Sequence, residues 1–388
     1  MKSEQDSKKE RISLIQELER TYDAGIIVYF LGDRPLSVTQ IADDSIRPMY
    51  DHLLNLGKRK RIMLYLYGLG GLTETPWKIV TMIREFCEEF WVMIPYKAYS
   101  ASTMICLGAD KILMGRKGEL GPIDPALQFA GGDKPDKLLI PEIGVEDVAS
   151  YVDFLKNRVG LKDQDVLVDP IGTLATTLTP PLLGRIERIY SHIRLVARKL
   201  LLLHNDTPDE TAIGRIIETL TEKSYAHGHG IGRKEAKQIG LKVEYPDNVT
   251  EDLIWELFKE YEDHMELSSN PDPFSYFADD GPDTYTENGK SFATIESIAT
   301  LHNYSGNFFL QRIRKSPPQL NINFNINLQM PPSITPNQIP QQAQQILQQL
   351  LQQAQQQLQQ QLNQEITKQM PVETINSRVV GGHWQKVI

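Results

Sequence analysis

Cysteine is scarce: only Cys87 and Cys106 occur in 388 residues. Both sit in apolar surroundings, so free thiols of a reducing compartment are expected rather than a disulfide framework. No Cys/His spacing of the zinc type occurs, and neither a metal nor a cofactor is expected. Long apolar runs are missing as well. No stretch reaches the roughly 18 residues needed to cross a bilayer, so no integral membrane segment is expected. The opening MKSEQDSKKER has no apolar centre of a secretory leader, which makes a cytoplasmic location the expectation. Basic charge is in deficit, with 41 Lys and Arg against 50 Asp and Glu and a net charge of −9. That balance argues against nucleic acid as the main partner. The basic clusters are short, and Lys58-Arg59-Lys60-Arg61 reads as a solvated loop before a strand.

What is present is an alternation of strands and helices. ERISLIQELERTY has Ile12, Leu14, Ile15, Leu18 and Tyr22 at helical spacing. AGIIVYFLG and RIMLYLYG are short apolar runs of the kind buried in a parallel sheet. Thr75-Pro76-Trp77 opens a helix, since Thr caps and Pro fits the first turn. FWVMIPYKA is a third strand, SASTMICLGAD a helix and KILMG a further strand. Such alternation predicts an α/β fold with a mostly parallel sheet covered by helices. Functional groups in these folds gather at the carboxyl ends of strands. Between 141 and 265 the pattern is mostly helical.

Two strand ends stand out. One reads Gly68-Leu69-Gly70-Gly71. The other reads Ala98-Tyr99-Ser100-Ala101-Ser102-Thr103 and runs into an apolar helix. A serine at a helix start is exposed and close to N–H groups without intrahelical partners. The Ala101 N–H is a natural first donor to an oxyanion, and Gly70 or Gly71 lets a second backbone donor come close. The same serine could simply cap its helix.

These segments, YLYGLGGLTETPWKIVTMIREF followed by YKAYSASTMICLGADKILMGRKGELGPIDP, resemble the Clp-protease/crotonase superfamily. Within it the chain is similar to the serine dehydrogenase proteinase branch, related to signal peptide peptidase A. The likeness runs over about residues 10–245, through LLGRIERIYSHIRLVARKLL and SYAHGHGIGRKEAKQIGLKV. It implies a spiral of ββα units, homo-oligomers, and hydrolysis of peptide or protein substrates through an acyl-enzyme without ATP. Ser100 then becomes the nucleophile, with Gly70, Gly71 and Ala101 forming the oxyanion hole. Two positions depart from the family pattern: Ser102 stands where glycine is usual, and Leu69 where proline is usual. Ser102 offers a second hydroxyl that could serve as nucleophile. The histidine of Clp-type enzymes is absent, and Asp124 in Ile-Asp-Pro reads as a turn carboxylate. The related peptidases use a lysine base farther along, which points to Lys156, with Lys134 and Lys137 somewhat earlier. His227 and His229 read as part of a turn, and Arg185, Arg188, His192 and Arg194 as helix-surface charges. A catalytically silent binding relative and an acyl-CoA enzyme are the alternatives.

The composition divides the chain into a peptidase-like part, 1–265, an acidic turn-rich linker, 266–318, and a tail, 319–388. In the tail QLNINFNINLQM alternates as a half-buried strand. The glutamine-rich run from Gln341 to Gln364 repeats Ile346, Leu347, Leu350, Leu351, Ala354, Leu358 and Leu362 at helical spacing, which fits a helix for self-association or partner binding.

Overall fold

A computed structural model of the chain describes residues 4–123, 126–128, 142–161, 163–221, 230–269, 272–278, 281–315 and 340–387. The elements run α1 (Glu4–Tyr22), β1 (Gly25–Leu31), α2 (Ile46–Leu56), β2 (Arg59–Tyr67), α3 (Thr75–Arg84), β3 (Cys87–Ile94), β4 (Lys97–Ala98), α4 (Ala101–Leu107), β5 (Lys111–Met114) and β6 (Glu119–Leu120). They continue with β7 (Ala126–Gln128), β8 (Glu142–Gly144), α5 (Val145–Asp153), α6 (Gln164–Thr177), α7 (Pro180–Leu201), α8 (Glu210–Thr221), β9 (Ile231–Gly232), α9 (Arg233–Ile239), β10 (Val243–Glu244) and α10 (Asn248–His264). The last described elements are β11 (Thr284–Ser297), β12 (Thr300–Arg314), α11 (Gln341–Gln369) and β13 (Val372–Val387). The chain forms two compact units: one from residues 1–270, 288–307 and 379–388, the other from 271–287 and 308–378.

The main sheet has the order β10-β5-β3-β2-β1-β11-β12-β13. The first five strands are parallel, and β11 joins β1 antiparallel with Val28 opposite Glu296. This is the mostly parallel, helix-covered α/β sheet that the alternation predicts. All seven residues of β1 are buried, because the sheet is covered on both faces. Ile26, Val28 and Phe30 pack with α1 and α10 through Ile15, Leu18, Leu257 and Phe258. Ile27, Tyr29 and Leu31 face the opposite core, which α2, α3, α4 and α7 close with Leu53, Ile79, Ile105 and Leu200. Gly240, at φ 116, ends α9 in the left-handed region and turns the chain into β10.

Two readings change in the structure. On α1 Arg11 is buried, at 1% exposed, alongside Ile15 and Leu18, while Ile12 is only half-buried. Arg11 Nε donates to Glu296 Oε2 at 2.7 Å, and the Tyr261 hydroxyl donates to the same oxygen at 2.6 Å. A buried charge is tolerated only with such a partner set. The segment expected as a linker, 266–318, carries β11 and β12, two of the longest strands. β11 was missed because Phe292–Ser297 is buried on both faces and so does not alternate. The alternating run 319–330 lies outside the described residues. α11 is a helix over the glutamine-rich run, with Ile346, Leu350 and Leu358 exposed. In the same unit Arg314 clamps the Asp283 carboxylate and donates to Met370 O at 3.0 Å. Cys106 is buried and Cys87 half-buried, and neither is bonded to the other. Among the described residues, no single helix is long and apolar enough to cross a membrane.

Beside Arg11's partner strand a chain of polar groups crosses the core. His52 Nδ1 lies 2.8 Å from Ser297 Oγ, and His302 Nδ1 lies 3.1 Å from His52 Nε2. Burial, with the neighbouring His302, lowers the His52 pKa to about 3. The folded state therefore holds His52 neutral, whereas the unfolded chain protonates it near pH 6.5. Stability from this site is complete above that value and falls as the pH drops toward the folded value. Urea unfolding at pH 7.5 and pH 5 should show a loss to which His52 contributes about 2 kcal/mol. His52→Asn should flatten the decline by about 1–2 kcal/mol; an unchanged slope would mean that His52 is not held neutral.

Candidate active site

The site sits where β2 and β4 end. A parallel bridge joins Gly68 and Ala98: Gly68 N–H donates to Lys97 O, and Tyr99 N–H donates to Gly68 O, both at 3.0 Å. The bridge sets the glycine turn beside the serine. A Cβ on Gly70 would lie 2.7 Å from Ser100 Cβ, and Gly70 itself has φ 122. Gly71 has φ 155 and is packed so closely on Ile41 that a Cβ would overlap its carbonyl oxygen, at 2.1 Å. Only glycine fits either position. Ile41 N–H donates to Gly70 O and Leu72 N–H donates to Ile41 O, both at 2.8 Å, which fixes the turn from behind.

Tyr99 and Ser100 link β4 to α4, and Ser100 immediately precedes the helix. Its backbone lies at φ 51, ψ −115, a region that a residue with a Cβ enters at a cost of about 1–3 kcal/mol. Its side chain makes no capping hydrogen bond to α4, so the simple cap reading does not describe it. Its N–H donates to Pro122 O at 3.1 Å, and its carbonyl accepts from Met104 N–H at 3.0 Å. Ser100 is thus held by its backbone, half-exposed, with a hydroxyl that no described side chain engages. The arrangement is a strained strand-to-helix turn that presents the hydroxyl.

Around it, the N–H groups of Gly70, Gly71 and Ala101 donate none of the backbone hydrogen bonds that tie the turns together among the described residues. α4 has only seven residues, so individual N–H groups rather than a macrodipole would meet developing charge. Thr103, which sequence reasoning passed over, pins the floor. Its Oγ1 donates within reach of Ala98 O, at 2.6 Å, and of Gly121 O, at 2.8 Å. Gly121 lets the Tyr99 ring lie against it, since a Cβ there would meet the ring at 2.7 Å. The Gly-Pro pair of GELGPIDP therefore serves to receive Tyr99 and Ser100. Tyr99 OH donates to Glu119 Oε2 at 2.7 Å, and burial together with that carboxylate raises the phenol pKa.

Ser102 is wholly buried, and its Oγ has no hydrogen-bond partner. It points under the strand end toward Gly68, where a Cβ would lie 3.2 Å from that oxygen. In this arrangement no substrate carbonyl reaches it. Lys156 lies exposed on a single π-turn, Phe154–Arg158, after α5, and no hydrogen bond or ion pair links it to Ser100. Lys134, Lys137, Asp124, His227 and His229 lie outside the described residues. Arg194 donates to Glu146 at 2.8 Å and to Thr221 at 3.1 Å, tying α7 to its neighbours. Among the described residues, no three His, Cys, Asp or Glu side chains are grouped as metal ligands.

No family model matches the chain. Over 205 residues it is 28% identical to the uncharacterized protein MJ0137 of Methanocaldococcus jannaschii, covering 52% of this chain and 60% of that protein. Over 183 residues it is 24% identical to the uncharacterized protein MJ1495 of the same organism, covering 47% of this chain and 51% of that one. The chain thus spans between half and two thirds of the length of these curated relatives. Among solved structures it is similar to a serine-to-alanine mutant of the 1510-N membrane-bound stomatin-specific protease. The identity is 15%, the coverage 61% of this chain and 82% of that one, and the TM-score 0.35. A lysine-to-alanine mutant of that protease in complex with a substrate peptide gives 16% identity, coverage of 58% and 78%, and a TM-score of 0.34.

Gly70→Ala should test the packing of the two turns. The new Cβ must displace Ser100 from its strained position, so labelling of Ser100 by a fluorophosphonate should fall about 100-fold or more. The thermal midpoint should drop by only a few degrees, because the turn lies at the surface of the core. Full labelling in Gly70→Ala would separate the glycine turn from the serine.

Proposed function

We propose that this protein is a serine peptidase that cleaves peptide bonds through an acyl-enzyme on Ser100. The observation that carries the reading is the strained, unengaged Ser100 packed against Gly70, with the Gly70, Gly71 and Ala101 N–H groups close by. Backbone strain on a serine gives no stability and is kept where it presents a reactive group. The choice of a peptide as substrate comes from the SAST–LGPIDP resemblance.

In the first step Ser100 Oγ bonds to the scissile carbonyl carbon while a base removes its proton. The carbonyl oxygen becomes an oxyanion and takes hydrogen bonds from the Ala101 N–H and from the Gly70 or Gly71 N–H. Each such donor is worth roughly 3–4 kcal/mol at the transition state. Collapse breaks the C–N bond, and the base returns the proton to the leaving amine. Water then repeats the sequence on the ester. We assign the base role to a lysine, Lys156. An ammonium cannot accept a proton, so Lys156 must be desolvated or brought near positive charge to act. It is exposed in this arrangement, so the assignment requires the α5 turn to close over Ser100 when substrate binds. The spiral of ββα units, the self-association through α11 and the cytoplasmic setting belong to the same proposal.

A second reading has its own observation: no described side chain hydrogen-bonds Ser100 Oγ. On that reading the chain is a silent binding relative, and the strained turn is a remnant.

Intact-mass analysis after fluorophosphonate treatment separates the two. The peptidase reading expects one adduct, lost in Ser100→Ala and kept in Ser102→Ala. Peptide hydrolysis should fall by about 10⁴ or more in Ser100→Ala, and Lys156→Met should reduce it by about 10²–10⁴. An adduct lost only in Ser102→Ala would refute the assignment of Ser100. Absence of both labelling and hydrolysis would favour the binding relative. Normal hydrolysis in Lys156→Met would remove Lys156 as the base and leave Ser100 in place.

A further inference from the structure

α7 runs against the charge of the chain. Its 22 residues hold five Lys and Arg and a single acidic residue, Glu187, in a protein of net charge −9. Two of the five cations are committed to the fold: Arg194 binds Glu146 and Thr221, and Arg198 forks onto Glu210. Glu187 accepts from Ser191 Oγ at 2.9 Å. Arg185, Arg188 and Lys199 have no hydrogen bond or ion pair among the described residues, and all three are exposed.

The three free cations share a stripe with two exposed leucines. Arg185, Arg188, His192, Leu195, Lys199 and Leu202 follow one another at alternating steps of three and four residues. On a helix that spacing makes one straight seam, of the kind along which two helices pack at a shallow angle. Leu202, just past the last turn, keeps helical backbone at φ −73, ψ −10 and so continues it. Leu195 and Leu202 are 48% and 43% exposed, while Ile193, Val196, Leu200 and Leu201 are buried on the inner face. Trp77 of α3 flanks the leucine end, with Lys199 Nζ 5.6 Å from its ring centroid. The seam is roughly 25 Å long at 1.5 Å per residue.

The charge pattern decides what covers this seam. A second copy laid parallel on it would set arginine against arginine. Laid antiparallel, it would set Arg185 and Arg188 against Leu202 and Lys199, and neither arrangement neutralises a charge. A lipid surface calls for a broad apolar face with basic flanks. Here the apolar groups occupy one end of a narrow stripe and the arginines the other. An acidic helix meets both ends. Its carboxylates would take the planar arginine forks, which suit bidentate pairing. Its aliphatic side chains would pack on Leu195 and Leu202 beside Trp77, and Trp and Arg are the residue types that anchor interfaces.

We infer that this face of α7 is a docking surface for an acidic amphipathic helix of another protein. Carboxylates of that helix lie against Arg185 and Arg188, and its aliphatic side chains lie against Leu195 and Leu202. The inference is independent of the chemistry at Ser100.

Fluorescence anisotropy on the full chain tests it, with a labelled helical peptide of about 18 residues as the probe. The peptide carries glutamates along one half and leucines along the other, at alternating steps of three and four. Saturable one-to-one binding is expected, weakening about threefold or more between roughly 50 and 300 mM salt. Arg185→Glu combined with Arg188→Glu should weaken it about 30-fold or more, and Leu195→Ala combined with Leu202→Ala about five- to tenfold. These four side chains are exposed, so the thermal midpoint of either variant should stay within about 2 °C of the parent and weaker binding cannot be laid to unfolding. No saturable binding, or equal binding by the charge-reversed variant, would overturn the site. Equal binding of the same peptide interrupted by two prolines would overturn a helical partner. Sedimentation with vesicles of phosphatidylserine and phosphatidylcholine, lost in the charge-reversed variant and without peptide binding, would overturn the proposal in favour of a membrane. A smaller assembly of the charge-reversed variant by light scattering would overturn it in favour of a second copy.

Discussion

The Gly68–Ala98 bridge is the contact on which the candidate site depends. Two hydrogen bonds there join the end of β2 to β4, outside the regular ladder of the main sheet. Because the two chains meet backbone to backbone, the turns that follow are forced together within the space of a missing side chain. Gly70, Gly71 and Gly121 are the residues that make this approach possible. Ser100 is left with a backbone conformation it would not choose alone. The strain is held by Pro122 O on its amide and by Thr103 below it. Neither contact involves the hydroxyl, which is why the hydroxyl remains available for chemistry.

A different solution holds the other face of the sheet. Arg11, Glu296 and Tyr261 form a buried polar knot between α1, β11 and α10. Replacing such a set by apolar residues need not weaken a fold, whereas removing one member leaves a buried charge. The knot selects one arrangement: α1 and α10 cannot slide on β11 without separating charges in a dry interior. Together with the His52–His302 chain beside it, it marks β11 as the strand that unites the polar interior of this unit.

How much of this could be read in the sequence follows from what leaves a periodic trace. β1, β2, β3 and β5 are apolar runs, and α1, α3, α7, α9 and α10 are amphipathic, so they were legible. The Ser100 corner was legible as well, because a serine and two glycines at strand ends are local signals. β11 and β12 were hidden behind an acidic, turn-rich approach, and β11 is buried on both faces. Arg11 was hidden because a buried arginine looks like a surface one until its partner, 285 residues away, is known. Thr103 and Pro122 act through a main-chain oxygen or a short side-chain contact that no residue pattern records. The base is the least legible part. A lysine becomes a base through its surroundings, and spacing along the chain does not encode them.

The place of β11 also has a temporal meaning. β1 and its neighbour β2 are made well before β11, so the other edge of β1 stays bare until β11 arrives. Until then Arg11 has no counter-charge, and an apolar strand lies open along one side. A nascent chain in that condition folds slowly, since distant segments must close a long loop before any contact rewards them. It is also exposed to pairing with other open strands. The second edge of β1 can therefore close only once residues 284–297 have joined the sheet.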